Sequence, residues 1–254
     1  MTTDASQHIV FITGATAGFG AATARRFAGA GARVIATGRR RDRLDALAEE
    51  LGERCLPLAF DVTEQAAVEA AVAGLPDDFA EITVLVNNAG LALGLEQAPA
   101  TRMEDWKTMV DTNINGLLYC TAALLPGMVA RDRGHVINLG SVAGTYPYPG
   151  GNVYGATKAF VHQFSLNLRA DLIGKNVRVT SIEPGLAETE FSVVRFKGDA
   201  EKAKGPYQGL DPLTGEDIAD AIYYVATLPR HVNINVMEMM PVMQAFSMFA
   251  FNRS

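Results

Sequence analysis

Tyr154 and Lys158 stand four residues apart in a run, 153–172, whose pattern predicts a helix, so both side chains leave the same face. A phenol with an ordinary pKa near ~10 and an ammonium group beside it form a proton donor and its tuner. The positive charge favours the phenolate and is expected to bring the hydroxyl toward neutrality. The same spacing also suits an ordinary exposed helix pair, so the surrounding residues decide the reading. Near the start of the chain an apolar run, 8–13, leads directly into Gly14, Gly18 and Gly20 and then into a helical pattern through Ala30. Strand, glycine turn and helix N-terminus in that order make a phosphate cradle: glycines let backbone N–H groups approach a diphosphate, and the helix dipole favours its charge. A tight turn alone would use the same glycines, but the flanking strand and helix are what the phosphate reading requires.

The elements that must hold these residues alternate along the chain. Strands are predicted over 9–13, 33–37, 56–60, 83–87, 134–139, 178–183 and 233–237, and helices over 18–29, 42–51, 64–75, 103–131, 153–172 and 215–227. Continuous apolar strands such as 84–86 suit a sheet covered on both faces, hence an α/β, doubly wound parallel sheet of the Rossmann type in one domain spanning 1–254. Ligands of such sheets lie at the carboxyl ends of the strands, where the residues above fall.

With Thr13-Gly14, Gly18-Phe19-Gly20, Asp61-Val62, Asn87 to Gly90, Asn113, Ser141, Tyr154, Lys158 and Pro184-Gly185 in this order and separation, the chain resembles the short-chain dehydrogenase/reductase family over nearly all of its length. Phe19 departs from the commoner Ile or Leu but keeps an apolar packing group. The resemblance implies an oxidoreductase in which Asn113, Ser141, Tyr154 and Lys158 are catalytic. Asn113 would hold a water that relays protons to Lys158, Ser141 would hydrogen-bond the substrate oxygen, and Lys158 would also hold the nicotinamide ribose. It further implies that Gly14, Thr16, Gly18, Phe19 and Gly20 hold the cofactor diphosphate and Asp61 and Val62 its adenine. Asn88, Ala89 and Gly90 would line the cofactor; Pro184, Gly185 and Thr189 would border the nicotinamide, with 188–208 as a lid.

Cofactor choice is read after the second strand. From Ala36 onward no acid appears before Asp42, whereas Arg39 and Arg40 follow Gly38; a guanidinium pairs well with phosphate oxygens, so NADP(H) is expected. Segments 144–152, 183–186, 194–198 and 233–241 resemble the branch holding NADP-dependent 3-hydroxy acid dehydrogenases of serine and allo-threonine and the sulfoacetaldehyde reductases. A small anionic aldehyde or hydroxy acid is therefore expected as substrate, and its head needs a cation. Arg195 in an apolar stretch is the candidate, with Tyr148 as a second donor; Arg195 paired to lid acids is the alternative. The apolar tail, 242–254, argues for a pocket with little room, so sulfoacetaldehyde is expected ahead of serine, allo-threonine or malonic semialdehyde. That tail is expected either at a subunit interface, the family being commonly tetrameric, or in this chain's own core through Phe246, Phe249 and Phe251.

Composition narrows the partners. A net charge of -6 and pI near 5.3 disfavour nucleic acid and anionic membrane surfaces. Cys55 and Cys120 read as small core hydrophobes, in keeping with a reducing, cytoplasmic setting, and no signal peptide is evident. His8, His135, His162 and His231 lack ligand spacing, so no metal is expected and each reads as a surface or packing residue. A non-catalytic NADP-binding regulatory protein on the same fold would be favoured by a broken Ser, Tyr, Lys or Asn position; none is broken.

Overall fold

The computed structural model describes residues 3–246 and 251–252. Seven parallel strands form one sheet in the order β3-β2-β1-β4-β5-β6-β7: β1 (Ile9–Ile12), β2 (Arg33–Gly38), β3 (Cys55–Ala59), β4 (Val84–Asn87), β5 (Gly134–Leu139), β6 (Val177–Pro184) and β7 (Val236–Met239). Between and after them lie α1 (Gly18–Gly29), α2 (Arg41–Leu51), α3 (Gln65–Ala73), α4 (Asp77–Ala80), α5 (Met103–Val110), α6 (Gly116–Ala130), α7 (Asn152–Asp171), α8 (Phe191–Arg195), α9 (Ala200–Lys204) and α10 (Gly215–Thr227).

Period-two alternation explains the three layers. Val10 and Ile12 of β1 pack with Phe27 of α1, Leu44 of α2 and Ile222 of α10, while Ile9 and Phe11 pack on the other face with Val68 of α3, Leu124 of α6 and Leu168 of α7. Both faces being covered, β1, β4, β5 and β6 are buried throughout, as the apolar runs predicted. Full burial of a side chain such as Phe27 contributes about 1.5–3 kcal/mol. Exposed ion pairs such as Arg41–Asp45 add less than about 1 kcal/mol after screening, so the sandwich holds the cleft in place.

Strand order reverses between β1 and β4, which opens a crevice beyond their carboxyl ends. Three elements differ from expectation. The single helix predicted over 103–131 is broken by a π-helical turn, Asp111–Asn115, between α5 and α6. The last strand begins at Val236 and not at 233, because Asn233 acts as a side-chain surrogate for a strand neighbour: its amide accepts from Val179 N at 2.9 Å and donates to Val179 O at 2.9 Å. The segment 188–208, expected as a lid with no helix assigned to it, carries α8 and α9. By length and composition Met103–Ala130 could also cross a membrane, yet Cys120, Leu124 and Met128 within it pack in the core.

Candidate active site

The glycine turn is fixed by backbone conformation. Gly14 and Gly18 have φ of 70° and 52°, the left-handed region where a side chain would be strained. Asn88 Nδ2 donates to Thr13 O at 2.8 Å and Gly14 O at 3.1 Å, while Thr13 Oγ1 accepts from Asn88 N at 3.0 Å and Ala89 N at 2.9 Å. Asn88 and Ala89 thus brace the turn. The α1 N-cap position, Ala17, gives no side-chain cap, so the first N–H groups of that helix stay available to a ligand. A Cβ on Gly20 would stand 2.4 Å from Gly14 O, so Gly20 serves the packing of the turn.

At one end of the cleft lie the arginines. Arg39 is 69% exposed, with Nη1 3.5 Å from Asp61 Oδ2. Arg40 is held in place: Nε and Nη2 donate to Thr16 Oγ1 at 3.1 and 2.7 Å, and Nη1 donates to Glu190 at 3.1 Å. Glu190 also accepts from Arg43 at 2.7 Å, a link between α2 and the start of the lid that the sequence did not disclose. Asp61 accepts from Thr63 N at 3.0 Å, a loop-shaping bond, and Val62 is buried where a Cβ on Gly116 would meet it at 2.8 Å.

At the other end Tyr154 and Ser141 are buried and hydrogen-bonded. Ser141 Oγ also accepts from Ala143 N at 3.1 Å and reaches Pro184 O at 3.4 Å. The expected lowering of the phenol is not found. Burial, first, and Tyr148 push the Tyr154 pKa up to about 12, against opposition from the Ser141 hydrogen bond and from Arg195. Lys158 Nζ lies 5.9 Å from the Tyr154 ring centroid and donates to Leu139 O at 2.7 Å, and burial outweighs the neighbouring charges in setting the phenol. Burial lowers Lys158 to about 8, with Glu183 acting the other way. At neutral pH the phenol is therefore protonated and suited to donate.

Asn113 sits in the π turn with its side chain engaged at both ends of the amide: Oδ1 accepts from Leu91 N at 2.8 Å, and Nδ2 donates to Leu91 O at 2.8 Å and Thr157 Oγ1 at 3.0 Å. With both amide hydrogens used, a water held here would bond the second lone pair of Oδ1 or the backbone of that turn. A π turn places this amide where a regular helix would not, a common device at functional positions. A Cβ on Gly90 would be 3.3 Å from Asn113 Oδ1 and 3.5 Å from Lys158 Nζ, so Gly90 keeps that space open. Gly185 N donates to Met239 O at 2.7 Å, and a Cβ on Gly18 would touch Thr189 at 3.3 Å, which sets the lid's first residues against the glycine turn.

Arg195 is buried without a lid acid. Its Nε donates to Gly94 O at 3.2 Å and its Nη2 to Tyr148 OH at 2.7 Å, and its Cζ lies 5.5 Å from the Tyr154 ring centroid. Three of the lid carboxylates pair elsewhere: Glu190 with Arg40 and Arg43, Asp199 with Lys202, Glu201 with Lys204. Phe191, which sequence reasoning passed over, packs on Tyr154 with ring centroids 5.7 Å apart. The described part of the tail returns to its own chain: Gln244 Oε1 accepts from Leu186 N at 2.8 Å, Phe246 lies against Tyr146, and Phe251 lines the cleft. Phe249 lies outside the described residues.

All of the site residues predicted from the sequence except Gly20 and Asn113 line one continuous cleft of about 500 Å³. It runs from Arg39 past the glycine turn to Tyr154 and Arg195, basic at one end and carrying a proton donor and a guanidinium at the other. Such a shape fits an elongated ligand with phosphate groups at the turn and a reacting end at Tyr154.

Fold and cleft together define a dinucleotide-binding oxidoreductase framework, and the chain belongs to the short chain dehydrogenase family, whose model matches residues 8–199. It is 62% identical over 247 residues to the NADP-dependent 3-hydroxy acid dehydrogenase YdfG of Salmonella typhi, covering 97% of this chain and 100% of that protein. It is 58% identical over 244 residues to the serine 3-dehydrogenase of Agrobacterium fabrum, covering 96% of this chain and 98% of that protein. Among solved structures, a closed form of serine dehydrogenase complexed with NADP+ superposes with a TM-score of 0.93 at 58% identity, over 96% of this chain and 99% of that one.

Proposed function

We propose that the protein is an NADP-dependent dehydrogenase of short 3-hydroxy acids, interconverting the hydroxy acid and its 3-oxo form. The class rests on the family and its relatives. The substrate class rests on one observation: a buried guanidinium, Arg195, 5.5 Å from the Tyr154 ring centroid, with no carboxylate paired to it among the described residues. A carboxylate two bonds from the reacting carbon supplies the missing partner. Hydroxy acids named for the relatives now stand ahead of sulfoacetaldehyde, which shares the anionic head but has no similar support.

Gly14, Thr16, Gly18 and Phe19 would hold the diphosphate, Arg39 and Arg40 the 2′-phosphate, and Asp61, Val62, Asn88, Ala89, Gly90, Lys158, Pro184, Gly185 and Thr189 the rest of the cofactor. NADPH, when bound, supplies a hydride to a carbonyl carbon. Tyr154 gives its phenolic proton to the oxygen as charge grows there, and Ser141 donates a hydrogen bond to the same oxygen. Charged Lys158 favours the phenolate left behind and Arg195 holds the acid head. The lid, 188–208, excludes water by bringing Phe191 over Tyr154. Oxidation runs through the same groups in reverse.

The testing experiment is a steady-state panel. NADP+ reduction with L-serine and L-allo-threonine, and NADPH oxidation with malonic semialdehyde and sulfoacetaldehyde, are compared with neutral alcohols and aldehydes of equal length. Anionic substrates are expected to lead, with hydroxy acids ahead of the sulfonate; faster turnover of the neutral set would overturn the reading. For the cofactor, Arg39→Ala is expected to weaken NADPH binding by about 2 kcal/mol, a charge-assisted hydrogen bond to phosphate, while NADH binding hardly changes. Fluorescence titration with both nucleotides checks this, and equal losses would make Arg39 structural.

A further inference from the structure

Pro184, Gly185 and Leu186 leave the carboxyl end of β6 as a strip of cleft wall beside Ser141, whose Oγ reaches Pro184 O at 3.4 Å. The last bond this strip makes to β7 is Gly185 N to Met239 O at 2.7 Å. Beyond Pro241 the chain turns, Gln244 N donating to Pro241 O at 2.9 Å. The next N–H of the strip, that of Leu186, is met by a side chain instead: Gln244 Oε1 accepts it at 2.8 Å. A Cβ on Gly185 would overlap that same oxygen, so the glycine admits the amide directly against the wall.

Gln244 is 8% exposed, and only its oxygen can accept an N–H, so Nε2 is the other end of the amide, buried with no hydrogen-bond partner among the described residues. An unspent buried donor is destabilising, and an apolar side chain would fill the space better if packing were its only task. The oxygen is the group this position uses. Its seat is fixed from both sides. Gln244 forms an antiparallel bridge with Phe251, which lines the cleft, and Asn252 N donates to Met243 O at 3.0 Å. Leu186 O accepts from Leu213 N at 3.0 Å, just before α10, so both backbone groups of Leu186 are tied, one of them by the tail.

We propose that Gln244 is a positioning residue for the nicotinamide end of the cofactor: its amide oxygen fixes Leu186, and with it Pro184 and Gly185, as the wall against which the ring lies. The inference rests on the reading of Pro184 and Gly185 as the nicotinamide wall and is independent of the substrate class. Gln244→Met keeps the length of the side chain and removes the oxygen. Gln244→Glu, measured at about pH 6 where a buried carboxyl stays protonated, keeps an acceptor for Leu186 N and the shape of the amide. Two ligands divide the cofactor: NADPH, and 2′,5′-ADP, which is the adenosine half without the nicotinamide. In Gln244→Met the Kd of NADPH, by fluorescence titration, is expected to rise about tenfold, the effect of leaving one buried N–H unpartnered, while that of 2′,5′-ADP stays within about twofold. The Leu186 amide, followed by hydrogen exchange of its peptide, should lose protection. Turnover should show a split: kcat falls by about tenfold with anionic and neutral substrates alike, and their KM changes little. Gln244→Glu should stay near the parent in each of these. Equal losses for NADPH and 2′,5′-ADP overturn the proposal, as does a Leu186 amide still protected in Gln244→Met or a Gln244→Glu variant no better than Gln244→Met. If Gln244→Met does not fold, Gln244→Glu decides through the ratio of the two Kd values: a ratio near the parent's upholds the proposal, and one shifted against NADPH overturns it. Lost protection of Leu186 with unchanged NADPH affinity would overturn the nicotinamide wall itself, and the proposal with it.

Discussion

Tyr154→Phe is expected to lower kcat by about 10²–10⁴-fold, the size of effect that a positioned proton donor supplies. The ring fills the same space beneath Phe191, so the packing that places the lid is kept and only the hydroxyl shared with Ser141 is lost. Cofactor affinity should therefore change little, which separates loss of proton transfer from loss of the site. Single-turnover kinetics on the variant with saturating nucleotide would show the chemical step itself slowed. Near-native turnover would mean that the proton comes from elsewhere, and the high pKa of about 12 would then mark a structural tyrosine.

That pKa shows where sequence reasoning ended. The face shared by Tyr154 and Lys158 is a local property of helix geometry, and α7 presents it as expected. What surrounds the phenol is tertiary: burial raises its pKa, and the cation that opposes this is Arg195, from another part of the chain, and not the neighbour at i+4. The glycine turn was legible for a similar reason. Gly14 and Gly18 are demanded by positive φ, a constraint written into the residue type. The tie between Arg40 and Glu190 joins residues 150 apart and leaves no local pattern, and the same holds for the seat of Arg195 on Gly94. Asn113 is a mixed case. Asn is a poor helix former, yet nothing local marks a break in the predicted helix, and only the structure shows the π turn in which its amide oxygen and nitrogen are both engaged.

Arg195→Ala is expected to cost about 2–5 kcal/mol in kcat/KM for substrates with an anionic head and much less for neutral aldehydes of equal size. The asymmetry follows from burial. Arg195 is 7% exposed, so a carboxylate drawn into the cleft leaves water and depends on the guanidinium to replace its hydration. Removing the cation leaves that charge unpaired in a place where solvent does not screen it. Arg195 also donates to Gly94 O and to Tyr148 OH, so the change loosens the wall formed by 94 and 148. That structural part of the loss falls on every substrate alike and is read from the neutral set. Arg195→Lys separates the two further: a point charge restores attraction for the anion but not the forked pair of bonds to Gly94 and Tyr148, so recovery should be partial and confined to anionic substrates. The measurement is the ratio of kcat/KM for anionic and neutral members of a matched pair across the three proteins. A ratio that falls steeply in the alanine variant and recovers in part with lysine places the acid head at Arg195. A ratio that never moves would make Arg195 a brace for the lid, and the charge selectivity of the cleft would have to come from Lys158, the other buried cation that lines it.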